Sequence, residues 1–281
     1  MDTTNNNAMM NQEQQYPPFI LPDMVGGEFS EDDLAEDMDG LSLSFPRVKI
    51  PGGGVPQFEM PGDDPEHPTF ADKLEGVILY NHMSNAYWAP GSEYSDDTPP
   101  LCRSADGKIG YGEPGGVCAA CEFNEFGSDE NGSGKACKNM RMLYLLRSGE
   151  MMPIVLALPP TSIKPFREFL GSAFVARHRA TYGSLVEITL VRKNSNGFDY
   201  SVAVFKRVRD FTGDELARVT EYASAFRKEA KLVIEQRGEQ NKAAAAENLE
   251  MASVPEALPS NEASFAVGAP VLYGEAAKLP A

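Results

Sequence analysis

Alternation of apolar and polar positions predicts a strand over 74–82, with the aromatics Tyr87 and Trp88 just beyond it. Strands over 141–147 and 152–158 follow, joined at Ser148-Gly149-Glu150 in a short hairpin connection. The period then changes. Phe166, Phe169, Leu170, Ala173 and Phe174 recur at helical spacing behind a Thr161 or Ser162 cap, with Pro165 in the first turn, and predict a helix over 163–178. Strands over 185–193 and 198–208 meet at a turn containing Asn196-Gly197, a favoured hairpin dipeptide. In the first of these, Val186, Ile188 and Leu190 share the core face; in the second, alternation does not say which face is buried. Thr212-x-x-Glu215 reads as a capping box opening a final helix over 211–238. Its apolar seam, from Leu216 through Val219, Ala223 and Phe226, can cover the domain or pair with another chain.

Five strands with a helix between the third and fourth is the element order of an OB-fold, a small Greek-key barrel. The expected class is α+β, mainly β: an OB-fold-like five-stranded barrel within a domain over 46–210, preceded by a short edge strand at Phe45–Ile50 and followed by the C-terminal helix. A different α+β sheet would give the same string of elements.

Between the first two strands lies a stretch that burial cannot fold. It holds all four cysteines, Cys102, Cys118, Cys121 and Cys137, spaced C-x15-C-x2-C-x15-C among many glycines. Four thiolates supply a closed tetrahedral shell for zinc, so a structural Zn2+ site within an insertion at 83–140 is expected. A closed shell leaves no open position for zinc catalysis. Two disulfides would need an oxidising compartment, and Met1–Asn5 lacks the charged and apolar regions of a secretory leader. A C-x-x-C redox pair belongs beside a strand-helix unit rather than in a glycine-rich loop, and His82 is the one histidine near enough to complete a mixed site.

Charge divides the chain. Residues 1–45 contain ten acids and no Lys or Arg, and read as a disordered acidic arm that solubilises the protein, mimics polyanion, or docks a basic partner. Residues 135–231 contain seventeen basic residues against nine acids. The overall net charge of −16 hides this basic half. Residues 239–281 read as a flexible tail.

Pro100-Leu101-Cys102-x-Ser104-x-Asp106-Gly107, Gly116-x-Cys118-x-x-Cys121 and Lys135-Ala136-Cys137-Lys138-Asn139, running into Leu143-Tyr144-Leu145-Leu146, resemble bacteriophage and mobile-element proteins thought to bind single-stranded DNA. In outline the chain is similar to the phage T4 helix-destabilising protein, whose OB-fold carries a zinc subdomain. It departs from that type in using four cysteines and in placing its acidic arm at the N-terminus. The resemblance covers roughly 74–210 and implies DNA binding in replication or recombination, in the host cytoplasm, with replication or recombination proteins as partners of the acidic arm.

Sequence-tolerant binding of a single strand needs cations for phosphates and aromatic faces for bases. Both types interleave at Tyr87, Trp88, Tyr111, Arg141, Tyr144, Arg147, Arg192, Lys193, Tyr200, Phe205, Lys206, Arg207 and Arg209. Catalytic motifs are lacking: there is no phosphate loop, no G-x-S-x-G and no H-E-x-x-H, and the histidines are isolated, so no enzyme is expected. No apolar run approaches a membrane span. The other class the residues allow is a zinc-stapled interaction protein acting through its acidic arm and C-terminal helix.

Overall fold

The computed structural model describes residues 16–24, 45–62, 64, 66–91, 98–195 and 197–252, with side chains to residue 239. Its strands are β1 (Arg47–Val48), β2 (Phe58–Met60), β3 (Thr69–Ala71), β4 (Lys73–Tyr87), β5 (Cys102–Ser104), β6 (Ile109–Gly112), β7 (Gly116–Val117), β8 (Lys138–Leu146), β9 (Ile154–Leu158), β10 (Ser184–Ser195) and β11 (Phe198–Asp210). Two α-helices are described, α1 (Pro160–Ala173) and α2 (Gly213–Ala252).

The organising element is β4. Its first residues pair antiparallel with β10, with Gly76 opposite Val186; its middle pairs with β8, with Met83 opposite Arg141; its end pairs with β5, with Tyr87 opposite Cys102. The result is a nine-stranded mixed sheet, made mixed by the parallel pairing of β1 with β9, plus a separate β2–β3 hairpin. Among its main strands the neighbour order is β9-β8-β4-β10-β11. Among the described residues no pairing joins β9 to β11, so the closed five-stranded barrel expected from element order is not found. The architecture is α+β, mainly β, with a large mixed sheet and a C-terminal helix.

Helix α1 reaches β11 where β9 does not. It leaves β9 through Pro159, and the hydroxyl of Ser162 accepts the buried N–H of Ala203 at 3.0 Å. Ser162, read as a cap, therefore serves the sheet edge; Pro159 occupies the cap position. Phe166 and Phe169 pack on Phe205, which shows that Ser201, Ala203 and Phe205 form the inward face of β11.

β4 is buried on both faces at its centre, with Val77, Ile78 and Leu79 all fully buried. Ile78 joins a core with Leu143, Leu145, Leu156, Phe166 and Ile188. Val77 and Leu79 join a second core with Leu146, Phe211, Val219 and Ala223, beneath α2. The C-terminal helix thus spends the first part of its seam on its own sheet. It also runs on to Ala252, past the boundary expected at 238, and there Ile234 and Gly238 are buried while Val233 is exposed.

The second core includes residues expected to be disordered. Phe19 and Leu21 are buried, and the Phe19 ring meets Phe211 at 5.6 Å. The Phe19 N–H donates to Glu215 at 2.8 Å, and the Gly149 N–H donates to the Ile20 carbonyl at 3.0 Å. Glu215, read as a capping carboxylate, instead receives Phe19 and the guanidinium of Arg209. Phe19 and Leu21 fill the cleft between α2 and the sheet while Ile20 faces outward, and that burial holds this part of the arm in place. The remainder of the arm and the tail beyond 252 lie outside the described residues.

Candidate functional site

The cysteine insertion is narrower than 83–140, because β4 runs to Tyr87 and β8 starts at Lys138. Within it, β5 carries Cys102, a 3-10 turn places Cys118 at its start and Cys121 just after it, and Cys137 directly precedes β8. Backbone bonds fix this arrangement: the N–H of Cys118 donates to Lys108 at 2.8 Å and that of Cys137 to Phe123 at 2.8 Å. All four thiols are free and line one small cavity, walled by Tyr87 and Phe123 stacked at 4.4 Å. Gly110 is required there, since a Cβ would stand 2.8 Å from the sulfur of Cys102.

Among the described residues no group of three or more His, Cys, Asp or Glu side chains stands in closed ligand geometry. What the fold supplies is convergence. Burial, and then the neighbouring Cys118, Cys102 and Cys121, push the Cys137 thiol up to about 12. Burial likewise raises Cys102, opposed by a hydrogen bond from the Gly115 backbone. His82 lies off this cavity: its Nδ1 meets the Met83 carbonyl at 2.9 Å and its Nε2 the Tyr144 hydroxyl at 3.3 Å.

The predicted nucleic-acid residues separate into two groups. Many are engaged in packing or ion pairs. Tyr87 is buried in the cysteine cavity, Phe205 packs on α1, and Arg209 is bound to Glu215 and lies over Phe211 at 4.8 Å. Arg207 pairs with Asp210 at 3.1 Å, Arg147 with Glu150 at 3.0 Å, Lys206 with Glu187 at 3.9 Å, and Arg192 with Asp199. Trp88 donates its ring N–H to the Thr98 carbonyl at 2.8 Å. Tyr144 is half-buried against Phe45 and Phe226, so α2 covers the face on which it stands.

The second group keeps its chemistry available. Tyr111 is exposed, with the Arg103 guanidinium 6.0 Å from its ring centre. Lys193 is exposed and stands across from half-buried Tyr200 on the β10–β11 hairpin. Arg141 is the most unusual. It alternates on β8 with fully buried Leu143 and Leu145, so its side chain starts on the core face of the sheet. Its guanidinium is held by the side-chain carbonyl of Asn81, with Nε at 2.7 Å and Nη2 also in contact. Burial lowers its pKa, and among the described residues no carboxylate pairs with it. Asn81 escaped the sequence reading; the signal for it was an Arg in register with core leucines, which demands a polar partner on the neighbouring strand, here one diagonal to it.

Two exposed rings were also missed. Phe126 in the cysteine insertion is 83% exposed and Phe198 at the β10–β11 turn is 79% exposed. The chain matches no protein-family model, no curated protein and no solved structure.

Proposed function

We propose that the protein binds single-stranded DNA with little sequence preference, in phage or mobile-element replication or recombination, on an OB-type sheet stapled by one zinc ion. The observation that carries this reading is Arg141, a half-buried cation on the core face of β8, held by a neutral amide and without a carboxylate among the described residues. A charge taken partly out of water and left without a counter-ion is a standing cost to the fold, and a phosphate would relieve it. The neighbour order β9-β8-β4-β10-β11, with α1 between β9 and β10, supports the OB reading, in which the insertion between β4 and β8 would be one of the two loops that flank the binding face.

Cys102, Cys118, Cys121 and Cys137 fit zinc: four unpaired thiols on one cavity, with a glycine where the sulfur needs room. Bound there, the metal would tie β5, the 3-10 turn and the start of β8 together. Its role is support, and the activity proposed is binding rather than catalysis. The alternative, an interaction protein acting through its acidic arm and C-terminal helix, has less of the helix to use, since Val219 and Ala223 are buried against the sheet.

Fluorescence anisotropy with single-stranded oligonucleotides tests the proposal. The expected result is binding that weakens steeply with salt, at a slope of about −0.7 per phosphate contact, and that varies little with base identity. No binding at low salt, in the full chain and after removal of residues 1–15, refutes it.

A further inference from the structure

The two most exposed large apolar side chains among those described are Phe126 and Phe198. Phe126 stands on a loop braced by hydrogen bonds, and Phe198 opens β11. Around Phe126, the Gly127 N–H donates to Gly134 at 2.7 Å, the Ser128 hydroxyl bonds the carbonyls of Glu125 and Phe123, and Asp129 receives the Ser133 N–H at 2.8 Å. The ring is therefore presented to solvent by an ordered loop. Phe198 follows Gly197, whose φ of +84° makes the tight turn between β10 and β11, and shares its strand face with Tyr200.

Each ring also has a cation at hand. The Lys135 ammonium lies 5.1 Å from the centre of the Phe126 ring and is anchored to Asn124 at 3.1 Å. Lys193 stands directly across from Tyr200, two pairs removed from Phe198 and on the same face of the hairpin. The two loops spring from opposite ends of β4: the cysteine insertion continues from Tyr87, whereas β10 extends beyond Lys73 toward its hairpin tip.

We infer that Phe126 and Phe198 are stacking anchors for two separated bases of the bound single strand, with Lys135 and Lys193 beside them for its phosphates. The inference rests on the proposed function and adds where the strand is gripped. Isolated exposed rings, one with an ammonium over it and the other with a lysine diagonal to it on the same strand face, match unstacked bases joined by phosphates. A protein partner would call for a contiguous apolar patch, and Phe126 is flanked by Glu125 and Gly127 instead.

The test uses the full-length, zinc-loaded protein with a twenty-residue oligothymidine followed by anisotropy. Phe126→Ala and Phe198→Ala should each weaken binding about 5- to 150-fold, and Phe126→Trp and Phe198→Trp should retain it while their indole fluorescence is quenched by the oligonucleotide. Thermal unfolding and zinc content should stay as in the unsubstituted chain, because neither ring is buried. Unsubstituted protein that binds, with alanine variants binding equally well, overturns this inference and leaves the proposed function standing. Unsubstituted protein that does not bind removes both.

Discussion

The hydroxyl of Ser162 on α1 accepts the backbone N–H of Ala203 on β11, with both residues fully or almost fully buried. One side chain of a helix thereby satisfies a sheet-edge donor that no strand reaches. Ser162→Ala leaves that N–H buried without a partner and should destabilise the fold by about 1–3 kcal/mol in urea unfolding, with little change in the slope against denaturant. An unchanged midpoint would mean that water replaces the hydroxyl.

Arg141 makes a prediction in two directions. Arg141→Met should hold or raise the melting temperature, because a partly desolvated cation is exchanged for an apolar chain of similar length, while affinity for single-stranded DNA falls at least about tenfold. A variant that unfolds more easily and binds DNA unchanged would make Arg141 a structural residue.

Phe19 fixes the status of the N-terminal segment. Phe19→Ala removes a ring packed on Phe211 in the second core and should cost about 3 kcal/mol of stability, measured by thermal or denaturant unfolding. A tail that serves only solubility predicts no change.

Asp210 governs the acid limb. Burial alone would raise its pKa, but the hydrogen bonds from Arg177 and Ser184 and the charges of Arg179 and Arg207 prevail and hold the carboxyl well below the usual range. A depressed folded-state pKa contributes stability that is complete above the unfolded value, near pH 4, and is lost as pH falls below it. Asp210→Asn should lower stability at pH 7 by about 1–3 kcal/mol and flatten the fall in stability below pH 4, seen in pH-dependent melting curves.

The metal proposal predicts a localised failure. Cys118→Ser should release zinc and raise hydrogen exchange across 98–137, while the cores around Leu143 and Val77 stay protected. Uniform loss of protection would place the metal in global stability instead.

Period alone located all five main strands and α1, since Val186, Ile188 and Leu190 lie inward as their spacing requires. It could not show that α2 covers β4, because a seam of Val219 and Ala223 reads the same whether it meets its own sheet or another chain. Nor could it separate Phe205, locked between Phe166 and Phe169, from Phe198, which alternation places one face away and the fold leaves in water. Charges were the least legible: Arg207 and Arg209 read as phosphate ligands until Asp210 and Glu215, close by in sequence, proved to claim them. The convergence of the cysteines was visible in spacing because no other force could order so many glycines.

Gly76 on β4 pairs opposite Val186 on β10, more than a hundred residues later in the chain. During synthesis β4 therefore emerges long before one of its two flanks exists, with the apolar run Val77-Ile78-Leu79 unprotected. The cysteine insertion and β8 are translated first, and a metal that gathers Cys102, Cys118, Cys121 and Cys137 would hold β8 beside β4 while the ribosome is still making α1 and β10. Zinc bound during translation would then shorten the time for which that apolar run stands uncovered, without changing the cores that finally form.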